Sequence, residues 1–535
     1  MIANKGLWVL IGLVSLGFLA CSGKQESSPV VFANGEELHG SWENEGSGVA
    51  VFKGIPFAAP PVDELRWRAP VANKPRGGPQ MAVEFAPACM QTSYITDWYA
   101  DVAKTFGHGP EAVGRPKSVN EDCLYLNIWS PRPEPGADLP VMVWVHGGSN
   151  KGGWSYEPNY IGNKLAEKGV VIVTIAYRLG AFGFFSHPAL DNGEDEPVAN
   201  FGWLDVDHAF RWVADNIESF GGDPKNVTAI GESSGAGNVS DLITRDVVMD
   251  QLYSRNIIQS SSGSLESRRT LADEQETGHL LIESLGLEGQ MDSQRLRKIP
   301  AQDLLTAAQK ELTDHYFDAV IDGLTLRLQP LETLDIMDTF KMDVLIGTNA
   351  DEWYMYIDEN ADRADLERMV EARAPEHAAE LLALVGQETD MRRAIDRIRT
   401  AGDTLCPSRY LAAKVTELGG RGWVYHFTRQ RPGPGGEKLG AYHGTEIPYV
   451  FNTHDDWLPT EETDHKLTDA VMDYWVQFAR NGDPNLPGRP EWPIYNQQQS
   501  LVMELGDNIG AIDAHDKGLC KLLGPERREA VKQGL

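Results

Sequence analysis

The segment Gly231-Glu232-Ser233-Ser234-Gly235 sets a serine between two glycines, with Val227-Thr228-Ala229-Ile230 before it and Ala236-Gly237-Asn238-Val239 after it. The pattern predicts strand, tight turn, helix. A turn of this kind suits a nucleophile, because only small residues fit beside a serine whose hydroxyl is pushed out above a sheet, and Gly231 and Gly235 meet that need. The helix that follows would aim its positive end at the serine and favour negative charge there. A serine hydroxyl is a weak nucleophile at neutral pH, so the chemistry also requires a histidine to take its proton and an acid to hold that histidine.

The elements that would position such a serine are legible on either side. Val141–Val145, Val170–Ala176, Val227–Ile230 and Val344–Gly347 are short Val/Ile-rich runs, expected as buried parallel strands. Between the second and third lies Asp205–Phe220, where Val206, Ala209, Phe210, Val213 and Ile217 fall at helical spacing with Asp207, Arg211 and Asp215 on the other side. Strand, helix, strand is the βαβ unit of an α/β fold. Asp362–Ala401, rich in Ala, Leu, Glu and Arg, is expected as a helical insertion covering the main sheet. Pro432-Gly433-Pro434-Gly435-Gly436 is expected as a surface loop. No repeat and no clear inter-domain linker interrupts the chain, so residues 31–535 are expected to form one large domain.

The 535 residues carry 48 Lys and Arg against 78 Asp and Glu, a net charge of −30, which argues against nucleic acid as a partner. With 41% hydrophobic and 9% aromatic residues the composition is that of a globular chain. Lys5 and the uncharged run Gly6–Ala20 predict a signal peptide over residues 1–20, too short for a membrane span. Phe18-Leu19-Ala20-Cys21 resembles a bacterial lipobox, with Phe18 where Leu is usual. The resemblance implies lipidation of Cys21, a polar tether over 21–30, and attachment to the outer membrane through lipid alone. If Cys21 is lipidated, Cys89, Cys123, Cys406 and Cys520 remain, an even number suited to two disulfides in an exported chain. Three pairings are open. No CxxC spacing points to a metal, and no cofactor is implied.

Beyond the serine segment, long stretches resemble the type-B carboxylesterase family, the cholinesterase-like branch of the α/β-hydrolases. They include Phe52-Lys53-Gly54-Ile55-Pro56-Phe57-Ala58, Glu121-Asp122-Cys123-Leu124-Tyr125-Leu126-Asn127, Ala176-Tyr177-Arg178-Leu179-Gly180, Phe220-Gly221-Gly222-Asp223-Pro224 and Gly482-Asp483-Pro484-Asn485. The resemblance implies an α/β-hydrolase fold, a central mostly parallel sheet flanked by helices, with the helical insertion between a triad acid and its histidine. It implies Ser233 as nucleophile, Glu352 as the acid and His443 as the base, the order Ser, Glu, His that this fold shows. It implies an oxyanion hole from the N–H groups of Gly148, Ser149 and Ser234, where Ser149 replaces a usual glycine and Ser234 a usual alanine. Glu232 would support the network. It further implies ion pairs Arg66–Glu121 and Arg178–Asp205 and disulfides Cys89–Cys123 and Cys406–Cys520. The function implied is hydrolysis of a small-molecule carboxylic ester through an acyl-enzyme. The alternatives are a thioester, amide or natural-product ester substrate, or a catalytically silent binding protein. Trp98 does not sit at the spacing of the family's choline-site tryptophan; Trp98 and Tyr99 are instead candidates for the mouth of a pocket.

Overall fold

The computed structural model describes residues 1, 27–43, 48–190, 192–193, 195–244, 252–261, 268–287 and 291–524. The signal peptide expected over residues 1–20, apart from Met1, and the expected lipidation site Cys21 lie outside the described residues. The tether expected to run to residue 30 is already part of the fold at its far end: the Ser27 carbonyl accepts from Trp42 Nε1 (3.0 Å), and a strand begins at Val30.

Among the described residues, eleven strands form the central sheet. In chain order they are β1 (Ser41–Trp42), β2 (Ala50–Pro56), β3 (Tyr125–Ser130), β4 (Leu139–Val145), β5 (Val171–Ile175), β6 (Gly222–Glu232), β7 (Arg255–Gln259), β8 (Asp343–Asn349), β9 (Arg421–Phe427), β10 (Leu501–Leu505) and β11 (Ile509–Asp513). Across the sheet they run β11-β10-β9-β8-β7-β6-β4-β5-β3-β2-β1. The strands from β10 through β5 pair in parallel, and both ends of the sheet are antiparallel.

The parallel strands are apolar throughout because both faces are covered. Val141, Val143 and Val145 of β4 turn to one core with Val206, Phe210 and Val213 of α1 (Phe201–Asn216). Met142 and Trp144, alternating with them, turn to another core with Val471, Trp475 and Phe478. Each such buried side chain contributes about 1.5–3 kcal/mol relative to exposure. Ion pairs brace the frame: Arg178 forks onto Asp205 (2.7 Å to each oxygen) and Arg66 Nε donates to Glu121 (2.6 Å).

Four expectations need correction. Helix α1 starts at Phe201 rather than Asp205, after Asn200 turns the chain with φ +61°; its first turn is buried, so it lacks the amphipathic pattern that marks the rest. Asp207, expected on the outer side, is buried and ion-paired to Arg211 (3.0 Å). Pro432–Gly436 is not simply a surface loop: Pro434 starts a short helix, Pro434–Leu439, that buries Gly436. The helices within 363–400 pack into a core of their own, with Leu366, Leu381, Ile398 and Leu519 but no strand residue; the helix Cys406–Glu417 lies on β8 and β9 instead. Disulfides join Cys89 to Cys123 and Cys406 to Cys520, which fits folding in an oxidising compartment. Among the described residues no helix is long and apolar enough to cross a membrane.

Candidate active site

The strand order reverses between β6, β4 and β5, and the carboxyl ends of these strands are where an open α/β sheet leaves a crevice. Ser233 sits there, directly after β6 and before helix α2 (Ser234–Thr244). Its backbone takes φ +54°, unusual for a non-glycine residue. The flanking glycines are required by contact: a Cβ on Gly231 would lie 2.6 Å from the Gly235 carbonyl, and one on Gly235 would lie 2.2 Å from the Val145 carbonyl oxygen. The Ser233 N–H donates to the Gln259 carbonyl at the end of β7 (2.9 Å), which holds the turn to the sheet.

His443, in the turn after the helix Pro434–Leu439, brings Nε2 to 2.8 Å from Ser233 Oγ. Its Nδ1 lies 2.5 Å from Glu352 Oε2, three residues past β8. Oε1 of the same carboxylate accepts from Thr348 Oγ1 (2.6 Å) and the Asn349 N–H (2.8 Å). Burial alone would raise the Glu352 pKa, but His443 and these donors outweigh it and hold the acid below its ordinary range. Glu232, 5% exposed, places Oε1 3.3 Å from His443 Nε2. Burial pushes Glu232 up to about 8. For His443 burial opposes the charged ring, yet the carboxyls of Glu232 and Glu352 prevail and move its pKa above the ordinary value. These groups share protons, so their titration belongs to the cluster. The arrangement can pass a proton from Ser233 Oγ to His443 Nε2 while Glu352 holds the ring and balances its charge.

The loop His146–Asn150 leaves β4 on the other side of Ser233. Gly148, Ser149 and Asn150 all have positive φ, +101°, +58° and +52°. Ser149 thus occupies a left-handed backbone that glycine would adopt without strain. The loop is held from beneath. The Asn150 N–H donates to Ser234 Oγ (3.0 Å), Tyr177 OH donates to the His146 carbonyl (2.8 Å), and Asn238 Nδ2 donates to Asn150 Oδ1 (3.0 Å). Burial lowers the His146 pKa to about 4 and keeps the ring neutral. Among the described residues no protein acceptor takes the N–H groups of Gly148 or Ser149. The N–H of Ser234, first in its helix, has no carbonyl a turn earlier to bond.

Ser233, His443, Glu232, Gly148 and Ser149 line a pocket of about 310 Å³, walled by Trp98, Tyr99, Trp353, Tyr356, Tyr442 and Trp457. Trp98 and Tyr99 belong to a helix, Tyr94–Thr105. Trp98 Nε1 donates to Tyr356 OH (2.8 Å), and Tyr99 OH donates to Glu157 Oε2 (2.6 Å). Burial raises Glu157 to about 7. The sequence reasoning missed Asn150, Tyr177, Gln259 and Glu446 as supports. Gln259 Nε2 and Asn349 Nδ2 both donate to Glu446 (2.9 and 2.7 Å), beneath the turn that carries His443. Tyr177 lay inside the motif Ala176–Gly180, but only packing reveals what it touches. Among the described residues no group of three or more His, Cys, Asp or Glu is arranged to hold a metal ion.

A model of the carboxylesterase family matches residues 27–520. The chain belongs to the carboxylesterase family. It is 33% identical over 496 residues to a fumonisin B1 esterase from Sphingopyxis macrogoltabida, covering 88% of this chain and 86% of that protein. It is 30% identical over 494 residues to a para-nitrobenzyl esterase from Bacillus subtilis (strain 168), covering 88% of this chain and 94% of that one. A solved PNB esterase superposes with a TM-score of 0.79 at 26% identity, over 93% of this chain and all of that chain. A Geobacillus stearothermophilus carboxylesterase does so with a TM-score of 0.78 at 30% identity, over 92% and 99%. The enzyme is a carboxylic ester hydrolase on the α/β-hydrolase fold.

Proposed function

We propose that this carboxylesterase cleaves its ester through an acyl-enzyme on Ser233, with His443 as general base and acid and Glu352 as the acid that orients it. Ser233 Oγ attacks the acyl carbon as His443 Nε2 takes its proton. The oxygen that becomes negative is met by the N–H groups of Gly148, Ser149 and Ser234, each such donor worth about 10²–10³ in rate. Collapse expels the alcohol, which takes the proton from His443. Water then attacks the acyl-enzyme, His443 accepts its proton, and the proton returns to Ser233 as the carboxylic acid leaves. Glu232 holds the imidazole from the other side and sets the pH at which it is free to accept. The observation that carries this reading is the 2.8 Å contact between Ser233 Oγ and His443 Nε2, with Glu352 at 2.5 Å behind it.

The substrate is a small-molecule ester. The chain is exported and held at the outer membrane by lipid on Cys21, with residues 21–26 as the tether. Turnover of a nitrophenyl ester by Ser233→Ala tests the catalytic reading. Activity should vanish while the thermal melt stays close to wild type, and His443→Ala should be about as damaging because triad members act as a unit. A Ser233→Ala enzyme that keeps a substantial share of the rate would remove the assignment.

A further inference from the structure

Arg399 is the only Lys or Arg among the described residues that lines the pocket above Ser233. It lies near the end of helix α3 (Met391–Thr400), which runs into a π-helical turn, Ala401–Leu405, whose Thr404 lines the same pocket. Such turns are frequent at functional sites. The guanidinium stacks on Trp353, 4.1 Å from the ring centroid. Trp353 in turn lies parallel to the His443 imidazole, at 8° and 6.5 Å between centroids.

The stack satisfies the face of the cation but leaves its in-plane N–H donors unspent. Its neighbours on α3 are committed elsewhere: Arg392 donates to the Tyr354 carbonyl (2.9 Å), Arg393 to Asp351, and Arg397 to Asp516 (2.6 Å). The acids nearest Arg399 are also taken. Asp403 pairs with Arg373, and Asp396 accepts from the Trp353 N–H (2.8 Å) and Thr400 Oγ1 (3.1 Å). Among the described residues no carboxylate forms an ion pair with Arg399. The pocket's own acids do not cancel its charge. Burial pushes Glu232 and Glu157 toward their neutral forms, and Glu352, which does not line the pocket, is bound to His443. Half-burying a cation without a partner is costly, and a guanidinium fork matches a carboxylate best.

We propose that Arg399 receives a free carboxylate carried by the ester substrate, so that the pocket selects anionic esters over neutral ones of the same size. This rests on Ser233 as the reacting centre. A charge-assisted contact of this kind should favour the charged ester about tenfold to a hundredfold in kcat/KM.

The test compares two matched pairs. The first places the carboxylate on the acyl group: the mono-4-nitrophenyl ester of glutaric acid against 4-nitrophenyl pentanoate. The second places it on the alcohol: 4-butyryloxybenzoate against its methyl ester. The wild-type enzyme should prefer the charged member of at least one pair. Arg399→Gln should lower that ratio at least tenfold, and Arg399→Lys should keep part of it. Turnover of the neutral esters reports that each variant is folded. If Arg399→Gln does not fold, inhibition of the wild type decides: glutarate should compete where pentanamide does not, and equal inhibition by the two overturns the assignment. A fluorophosphonate label reports on the nucleophile separately. An enzyme labelled at Ser233 whose ratio is unchanged by Arg399→Gln overturns the role of Arg399 alone; one left unlabelled overturns the reading on which it rests.

Discussion

Replacing Glu232 by Gln should move the acid limb of the pH–rate profile to lower pH. Glu232 Oε1 lies 3.3 Å from His443 Nε2, the nitrogen proposed to accept the serine proton. The base works only when neutral, so activity falls as pH drops through its pKa, and a nearby carboxyl that favours the imidazolium moves that fall to higher pH. At 3.3 Å the attraction between unit charges is about 1.3 kcal/mol with water-like screening and about 5 kcal/mol at the effective screening of a protein site. In pH terms these are about one and just under four units. Glu232 is itself driven toward its neutral form by burial, which places the expected change nearer the lower figure. Gln preserves the volume and a hydrogen-bonding end while removing the charge. The assay is kcat/KM against pH with a neutral nitrophenyl ester, which reports the free enzyme's groups. The limb should descend by about one unit or more. A limb that stays in place, or rises, would refute the electrostatic role given to Glu232.

Denaturing thiol titration without reductant should find no free thiol among Cys89, Cys123, Cys406 and Cys520. From loop entropy, removing Cys406–Cys520 should cost at most about 5 kcal/mol and Cys89–Cys123 at most about 4, since they close loops of 114 and 34 residues; a reversed order in denaturant melts would contradict this. Cys21→Ala should release active enzyme from the membrane fraction into the soluble one, because the acyl chains, at about 0.8 kcal/mol per buried methylene, supply the anchoring. An intact mass showing residue 21 unmodified would make the chain simply a secreted esterase.

The serine turn was legible because its constraint is local: Gly231 and Gly235 sit where backbones touch, and that need shows at fixed spacing. The buried strands were legible because parallel strands covered on both faces are apolar without interruption. Glu352 and His443, far apart in the chain, emerged from the family resemblance rather than from their residue types. Arg399 was invisible for the opposite reason. In Met391–Thr400 four arginines stand with Asp396, a pattern indistinguishable from a solvated face until packing turns one of them onto Trp353. The early start of α1 and the short helix after Gly433 were hidden because buried small and apolar residues there carry no periodicity to count. Trp98 and Tyr99 announced a pocket wall by type, but nothing local said that a helix would carry them.

The covalent intermediate is the heart of the account, and it can be caught directly. Mixing the enzyme with excess 4-nitrophenyl ester and quenching on the millisecond scale should give a burst of nitrophenol approaching one equivalent per active site. Intact mass should rise by the acyl group, and peptide mapping should place it on Ser233. An intermediate that never accumulates leaves no burst, so the deciding form of the measurement uses His443→Ala and a fluorophosphonate as well: the wild type should gain the phosphonyl mass on Ser233 and the variant should lose that reactivity. An acyl or phosphonyl group found on any other residue, or a wild-type enzyme that turns over ester while Ser233 stays unlabelled, would contradict the account.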